Sequence, residues 1–235
     1  MANVYSVNLN GSSAFSATDH ADFKPTGNFT VGCWLKFSSP VPYNIGIFDS
    51  YYYQDGNKIA GWKLGLDYTN GVYPTLISGK KTGTTYGTDV QQVASSINCG
   101  NGVWHWAVGT WDGTNLNMYV DGGNKVSQAW SYAPAYATTN NIRVGCINLG
   151  SDSSFYTGNL DEIFLINGTA WNDAKVAAMY RNYITGETNL KAYYQLENNG
   201  NDSSGNSHTL SAIGSPTYQT DVPVIGVNSN FFMFM

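Results

Sequence analysis

Charged side chains are scarce in this sequence, and basic ones are the scarcest. The 235 residues include 11 Lys and Arg against 16 Asp and Glu, which gives a formal net charge of −5. No cluster of Lys or Arg appears, whereas binding to nucleic acid phosphates needs a basic surface. The composition therefore argues against a nucleic acid partner.

Cysteines and long apolar runs are also sparse. Cys33, Cys99 and Cys146 cannot form a complete set of disulfides, and we expect free thiols that pack as small core residues. No apolar run reaches the length of a membrane span. The N-terminus has no basic segment followed by an apolar core, so no signal peptide is predicted.

Glycine and tyrosine, by contrast, are abundant, with 26 Gly and 17 Tyr. Together with many Asn, Ser and Thr, they are typical of short strands joined by polar turns. In residues 101–121, aromatic and β-branched residues alternate on both sides of Asp112-Gly113, which predicts a hairpin. Both faces of its first strand are bulky, so we expect the hairpin near the middle of a two-layer structure.

Similar strand-like runs recur along the chain, and only one helix is predicted. Asn172 can cap that helix, which extends over 172–183 with an apolar stripe. We predict an all-β fold, a two-sheet antiparallel jelly-roll sandwich with this one helix. No repeat or long linker divides the chain, so a single domain is predicted over 1–226, followed by an apolar tail over 227–235.

Three motifs resemble, in the same order, those of laminin-G-like, concanavalin A-like jelly rolls. They are F-T-V-G-C-W-L-K-F (29–37), G-V-W-H-W-A-V-G-T-W-D-G (102–113) and Y-T-G-N-L-D-E-I-F-L-I-N (156–167). The resemblance covers residues 3–183 and implies a concanavalin A-like fold. The later D-S-S-G-N (202–206) is similar to an element found beside such domains, and its position here resembles the order in laminin-G-like proteins of tailed phages.

Catalysis is not predicted, although related folds include glycoside hydrolases. Those enzymes need two carboxylates that reach the sugar from one face. Asp161 and Glu162 are adjacent, so strand alternation would place them on opposite faces. None of His20, His105 and His208 has a recognisable nucleophile beside it.

Two tyrosine-rich loops offer the aromatic faces, amides and carboxylates that a sugar ligand requires. The candidate ligand-binding residues are Tyr51, Tyr52, Tyr53, Asp55, Asn57, Tyr132 and Tyr136. Tyrosine is also enriched at protein interfaces, so glycan contact and protein contact remain equal alternatives.

A structural calcium ion is the predicted cofactor, with Asp161, Asp202 and Asn206 as candidate ligands. Ca²⁺ takes carboxylate, amide and carbonyl oxygens, which residues 201–206 supply around a turn glycine. The resemblance implies that Asp161 lies near such an ion. The alternatives are an Asx turn at Asp202 and a strand-end cap at Asp161.

The end of the chain is strongly apolar, and an exposed tail of this kind would favour aggregation. We expect Phe231, Phe232, Met233 and Phe234 to dock on a neighbouring subunit or another protein. The alternative is that they pack on their own domain.

These features predict a non-catalytic binding or assembly module, an exposed virion structural protein such as a decoration or fibre protein of a tailed phage. The expected partners are other virion proteins, further copies of the chain in a homo-oligomer, and cell-surface glycans. The expected location is the virion surface, or otherwise outside the cell. The first alternative is a calcium-dependent carbohydrate-binding lectin, and a glycoside hydrolase comes third.

Overall fold

The computed structural model describes residues 2–38, 45–54, 58–67, 71–136, 139–148 and 151–226. These residues form eighteen strands, an α-helix α1 (Asp173–Met179) and a short 3-10 helix (Ala21–Phe23). In chain order the strands are β1 (Ser6–Asn10), β2 (Ala14–Ala17), β3 (Phe29–Ser38), β4 (Ile45–Asp49), β5 (Tyr52–Gln54), β6 (Lys58–Asp67), β7 (Tyr73–Lys80), β8 (Val90–Ala94), β9 (Asn101–Trp111), β10 (Asn115–Val120), β11 (Gly123–Ala129), β12 (Ile142–Val144), β13 (Ile147–Asn148), β14 (Asp152–Ser153), β15 (Thr157–Asn167), β16 (Leu190–Tyr194), β17 (Ser211–Ile213) and β18 (Thr217–Gln219).

Sixteen of these strands form two eight-stranded antiparallel sheets, and β13 and β14 pair with each other in a separate two-stranded sheet. The first sheet has the order β11-β10-β9-β3-β15-β1-β18, with β16 also paired to β15. The second sheet has the order β17-β2-β12-β4-β6-β7-β8, with β5 also paired to β6. The prediction of an all-β, two-sheet sandwich with one short helix is confirmed.

The hairpin predicted around Asp112-Gly113 is β9–β10, in which Trp111 pairs with Leu116. The Asp112 carboxylate shapes its turn by accepting the backbone N–H groups of Thr114 and Asn115 at 2.9 and 2.7 Å. Because β3 lies on the other side of β9, the hairpin is an interior part of the first sheet, as its bulky faces predicted.

In the described part of the chain, apolar side chains form one core between the sheets and a smaller cluster on each outer face. The main core contains Trp62, Phe48 and Phe29. A second cluster covers the outer face of the first sheet beneath α1 and includes Trp106 and Trp171. The third cluster lies on the outer face of the second sheet and contains Tyr51, Ile59, Ile77, Val90 and Ile147.

The helix begins where the sequence predicts and ends earlier. The Asn172 side chain caps it by accepting the backbone N–H of Lys175 at 2.9 Å. Helix α1 ends at Met179 rather than at residue 183, and Arg181 then adopts a left-handed backbone with φ +63°. An α-helix cannot continue through a residue of that conformation.

The three cysteines are free and buried, as predicted. Burial in apolar surroundings raises the pKa of Cys99 and Cys146 to about 12. These thiols therefore act as small core side chains rather than as reactive groups.

Candidate functional site

The first tyrosine-rich segment is less exposed than the sequence indicates. Tyr51 is 2% and Tyr52 7% exposed, so neither ring offers the open aromatic face that a sugar ligand requires. Tyr52 belongs to strand β5 and pairs with Ala60 of β6, which draws the segment onto the second sheet. The side chain of Tyr53, together with Asp55 and Asn57, lies outside the described residues, so the prediction of ligand binding there stays untested.

The second segment, residues 131–136, crosses the end of the same sheet. Ala135 accepts a hydrogen bond from the Gly61 N–H at 2.7 Å and donates one to the Gly79 carbonyl at 2.9 Å. The structure therefore brings both predicted tyrosine segments to one end of the second sheet. Tyr136 is half-buried there, and its hydroxyl donates to the Pro25 carbonyl at 3.1 Å.

Tyr132 is the exposed aromatic ring of this segment, with 50% of its surface accessible. Its ring meets the edge of the buried Trp130 ring, with 5.0 Å between centroids. The Lys80 ammonium lies 4.1 Å from the Tyr132 ring centroid, within the range of a cation–π contact. The ring is thus held in a defined position at the surface.

A second exposed tyrosine, Tyr86, belongs to the loop that follows β7. The Lys80 N–H donates to the Asp89 carbonyl at 3.0 Å, which closes this loop onto the end of β7. Residues 131–136 are bonded to the neighbouring Gly79. We call Lys80, Tyr86 and Tyr132 the tyrosine surface, because all three belong to segments anchored at the same end of β7.

The outer face of the second sheet also carries a row of polar side chains that the sequence patterns did not predict. Strand register aligns Arg143 with Asp49, Asp49 with Lys63, Lys63 with Ile77, and Ile77 with Gln92. We call Arg143, Asp49, Lys63 and Gln92 the polar row. The signal available in the sequence was a charged residue between apolar neighbours in β12 and β6, namely Arg143 and Lys63.

Two further carboxylates complete the polar row at its ends. Arg143 Nε donates to Asp152 at 2.6 Å, and the Gln92 amide donates to Asp67 at 2.9 Å. Tyr51 covers the middle of the row, with its ring centroid 5.1 Å from Lys63 Nζ. Because Asp49 and Lys63 are buried, the row supports the sheet rather than offering an open ligand surface.

The acidic pair Asp161–Glu162 is arranged differently from the prediction. Glu162 has φ +49°, and the β15–β3 register shifts by one residue between Asp161 and Phe164. Such a bulge interrupts side-chain alternation. Asp161 pairs with Trp34 of β3. The Glu162 carboxylate accepts a hydrogen bond from the Tyr193 hydroxyl. Trp34 and Tyr193 both belong to the cluster beneath α1. The prediction that these carboxylates point to opposite faces is therefore wrong.

Both carboxylates are buried in the folded chain, with Asp161 0% and Glu162 2% exposed. Burial, together with the charge of Glu162, raises the pKa of Asp161 well above its ordinary value. Burial likewise raises the pKa of Glu162 to about 7, while the hydrogen bond from Tyr193 opposes this change. Neither group is open to a substrate in this structure.

Asp161 lies beside two buried side-chain oxygens from neighbouring residues. Among the described residues, Oε1 of Glu162 and Oδ1 of Asn3 are buried without a hydrogen-bond partner. The Asn3 amide donates to Asp161 Oδ2 at 3.0 Å, so both unsatisfied oxygens belong to direct neighbours of this carboxylate. Buried oxygens without donors are the ligand type that Ca²⁺ takes.

Asp202 and Asn206, the other candidate calcium ligands, instead hold the chain in a turn. Asp202 accepts the backbone N–H groups of Tyr193, Ser204 and His208 at 2.9–3.0 Å. The Asn206 amide donates to the carbonyls of residues 190 and 191. Asp202 and Asp161 share no hydrogen-bond partner among the described residues, so this arrangement matches the Asx-turn alternative rather than one joint site.

The partner-docking residues Phe231, Phe232, Met233 and Phe234 lie outside the described residues, and so does the whole predicted tail 227–235. Their role stays a prediction. Within the described ranges, no helix combines the length and apolar character that crossing a membrane requires.

The fold and its motifs define the family. A family model described as the concanavalin A-like lectin/glucanases superfamily matches residues 9–177, which is more than half of the chain. The chain belongs to this family, as the resemblance of its motifs implied. No curated protein sequence matches it.

Several solved structures share the fold at low sequence identity. A Bacteroides ovatus protein described as carbohydrate-binding is 13% identical with a TM-score of 0.68, and the match covers 96% of this chain. This chain spans 62% of that protein's length. A heptameric SAP-like pentraxin of Limulus polyphemus is 15% identical, with a TM-score of 0.60 over 93% of this chain and 95% of its own.

A third similar structure is the CBM40 of a Ruminococcus gnavus IT-sialidase. It is 10% identical with a TM-score of 0.58, and the match covers 77% of this chain and all of that one. At such identities the likeness establishes a common fold, while ligands have to be argued from this chain's own residues.

Proposed function

We propose that this chain is a non-catalytic module that binds carbohydrate through the tyrosine surface. The observation that carries the proposal is the half-exposed Tyr132 ring, fixed against Trp130 with the Lys80 ammonium beside it. Such a ring suits the apolar face of a sugar, and the ammonium suits its hydroxyl groups. The carbohydrate-binding proteins that share the fold support this proposal.

The position of the acidic pair supports a non-catalytic role. A glycoside hydrolase needs two carboxyl groups that reach the glycosidic bond. Asp161 and Glu162 are instead buried beneath the α1 side of the first sheet, where they contact Asn3 and Tyr193. These two residues are therefore structural in this proposal.

Binding to an array of neutral and sialylated oligosaccharides, followed by calorimetry with the best ligand, tests the proposed function. We expect Tyr132→Ala to weaken binding at least about tenfold, or ~1.4 kcal/mol, and Tyr86→Ala to weaken it less. Val103→Ala is the matched control, because Val103 is 52% exposed but lies on β9 of the first sheet. Binding unaffected by Tyr132→Ala, or cleavage of an array glycan, would contradict the proposal.

We also propose a structural calcium ion held by Asp161, Glu162 and Asn3. When bound, the ion would neutralise the two buried carboxylates and satisfy oxygens that otherwise lack a donor. Calcium added to chelator-treated protein is expected to raise the Tm, and Asp161→Asn is expected to abolish this rise. Asp202→Asn should retain it, because Asp202 belongs to a separate turn. An unchanged Tm in the wild-type chain would exclude this role.

The assembly role in a tailed phage particle is a second proposal, and it rests on the apolar sequence F-F-M-F-M at 231–235. If these residues dock on another subunit, the full-length chain with Phe231, Phe232 and Phe234 changed to Ser should lose its oligomeric state. Light scattering measures this directly. Val224→Ser is the matched control, since Val224 is 62% exposed and precedes the apolar run. A monomeric wild-type chain would exclude self-assembly through this segment.

A further inference from the structure

Three side chains from distant parts of the sequence meet beside the short 3-10 helix. His20 precedes this helix, Asp22 lies within it, and His208 follows the turn at Asp202. Nδ1 of His20 lies 3.1 Å from Asp22 Oδ2, and Nε2 of His208 lies 2.9 Å from the same oxygen. One nitrogen or oxygen from each residue lies within 4.8 Å of the other two. Two imidazoles and a carboxylate therefore converge on one point.

The hydrogen bonding of His20 makes this convergence informative. Its Nδ1 atom accepts the backbone N–H of Asp22 at 3.2 Å. An imidazole nitrogen that accepts a hydrogen bond presents a lone pair and carries no proton. The same nitrogen lies 3.1 Å from the Asp22 carboxylate, so a metal ion that replaces this hydrogen bond would be bound by both atoms. The His20 side chain is 54% exposed, so such an ion can enter from solvent.

We propose that His20, Asp22 and His208 bind a divalent transition metal ion, with Zn²⁺ as the reference case. Imidazole nitrogen suits zinc, nickel and copper, whereas Ca²⁺ and Mg²⁺ take oxygen ligands. Zinc lies about 2.0–2.2 Å from its nitrogen and oxygen ligands. Ligand atoms bound to one zinc ion therefore lie about 3–4 Å from one another. The Asp22 oxygen is already 3.1 Å from the His20 nitrogen and 2.9 Å from the His208 nitrogen. Rotation of the exposed His20 ring would bring the two nitrogens to the same separation. Water would complete the coordination.

Lys191 is expected to lower the affinity of this site for a metal ion. Its Nζ atom lies 3.2 Å from Oδ1 of Asp22, so Oδ2 is the oxygen that faces the two imidazoles. The ammonium repels a dication, and we therefore expect moderate affinity and one-oxygen binding by Asp22.

The ion would link two segments of the fold. His208 lies in the C-terminal segment, and its ring already packs 4.8 Å from that of the buried Phe23 in the 3-10 helix. A ligand that binds only the folded chain stabilises it. Zinc is thus expected to raise the Tm by tying the C-terminal segment to this helix.

Calorimetric titration of untagged, chelator-treated protein with Zn²⁺ alone tests the site. We expect one zinc ion per chain, which excess Ca²⁺ does not displace, and a loss of affinity of at least tenfold in His20→Ala and Asp22→Asn. His105→Gln is the matched control, because His105 instead contacts Asp121 and Asn101. Its zinc binding should equal that of the wild type.

Two results would overturn the proposal: no saturable zinc binding by the wild-type chain, or unchanged binding by His20→Ala. His208→Ala removes a packing contact as well as a ligand, so its folding is checked by circular dichroism. His20→Ala disturbs the packing less, because the His20 side chain is 54% exposed and the ring contact that it loses is with His208. The zinc-induced rise in Tm should disappear in this variant, and a rise that persists counts against the site.

Discussion

Lys63 and Asp49 face each other in register across strands β6 and β4, and both side chains are withdrawn from solvent. Burial lowers the pKa of Lys63 and raises that of Asp49. Their mutual attraction opposes both changes, because each charge favours the ionised form of the other. The pair lies at the centre of the polar row, under the ring of Tyr51.

Removing one member of this pair should be costly. We expect Lys63→Met to lower the free energy of unfolding by about 3–5 kcal/mol, since it removes the cation that faces the buried Asp49 from β6 and leaves only Arg143 on its other side. The double variant Asp49→Asn/Lys63→Met should lose less than the sum of the single variants. Urea unfolding of all four proteins measures the coupling. Purely additive losses would show that the two groups act independently.

The buried Glu162 predicts a pH dependence of stability. Its pKa is about 7 in the folded chain against an ordinary value of 4.5. A carboxyl group with a raised folded-state pKa binds its proton more tightly when folded. Its stabilising contribution is therefore complete below pH 4.5 and declines as the pH rises towards 7.

In calcium-free buffer, this decline should reach on the order of 3 kcal/mol, at 1.36 kcal/mol per pKa unit. Glu162→Gln should reduce the dependence of the free energy of unfolding on pH, while it keeps an acceptor for the Tyr193 hydroxyl. Some slope should remain, because the pKa of Asp161 is raised in the same direction. Urea unfolding from pH 4.5 to pH 7 measures it, and equal slopes for both proteins would refute the assignment.

Gly61 occupies a position that needs glycine. Its φ is +81°, and a Cβ atom there would overlap the carbonyl oxygen of Ser50. We expect Gly61→Ala to destabilise the chain by at least about 1–3 kcal/mol, from backbone strain and this overlap. Gly123→Ala is the matched control, because a Cβ there would meet nothing within 4 Å. The Tm of each variant separates the two cases, and equal effects would contradict the prediction.

Asp202 should contribute to stability through the three backbone N–H groups that it accepts. Asp202→Ala leaves these donors without their acceptor, and we expect a loss of about 2–3 kcal/mol. Asp202→Asn retains one oxygen and should fall between the alanine variant and the wild type. Chemical unfolding gives the ranking. A neutral Asp202→Ala would mean that the turn holds without this side chain.

Sequence patterns predicted elements whose signals are local. Alternation around Asp112-Gly113 located the β9–β10 hairpin, and Asn172 marked the start of α1. The end of α1 was less predictable. The chain leaves the helix through a left-handed backbone at Arg181, whereas the usual sequence signal for that conformation is a glycine.

The candidate sites depended on contacts that no local pattern records. Tyr51 and Tyr52 looked like exposed loop residues, but packing on the second sheet buries them. Strand alternation predicted opposite faces for Asp161 and Glu162. That prediction failed because alternation holds only while the strand register is unbroken. The bulge at Glu162 adds one residue and changes that outcome.

The sequence by itself therefore determined the strand-rich architecture, the central hairpin and the family, because side-chain periodicity and turn chemistry act between near neighbours. The tertiary structure alone decided which polar groups meet. The polar row aligns Arg143, Asp49 and Lys63 through strand pairing, and Asp22 meets His208 across 186 positions of sequence. Such side-chain contacts are set by the sheet register and by the path of the chain, and both depend on the packing of the whole chain.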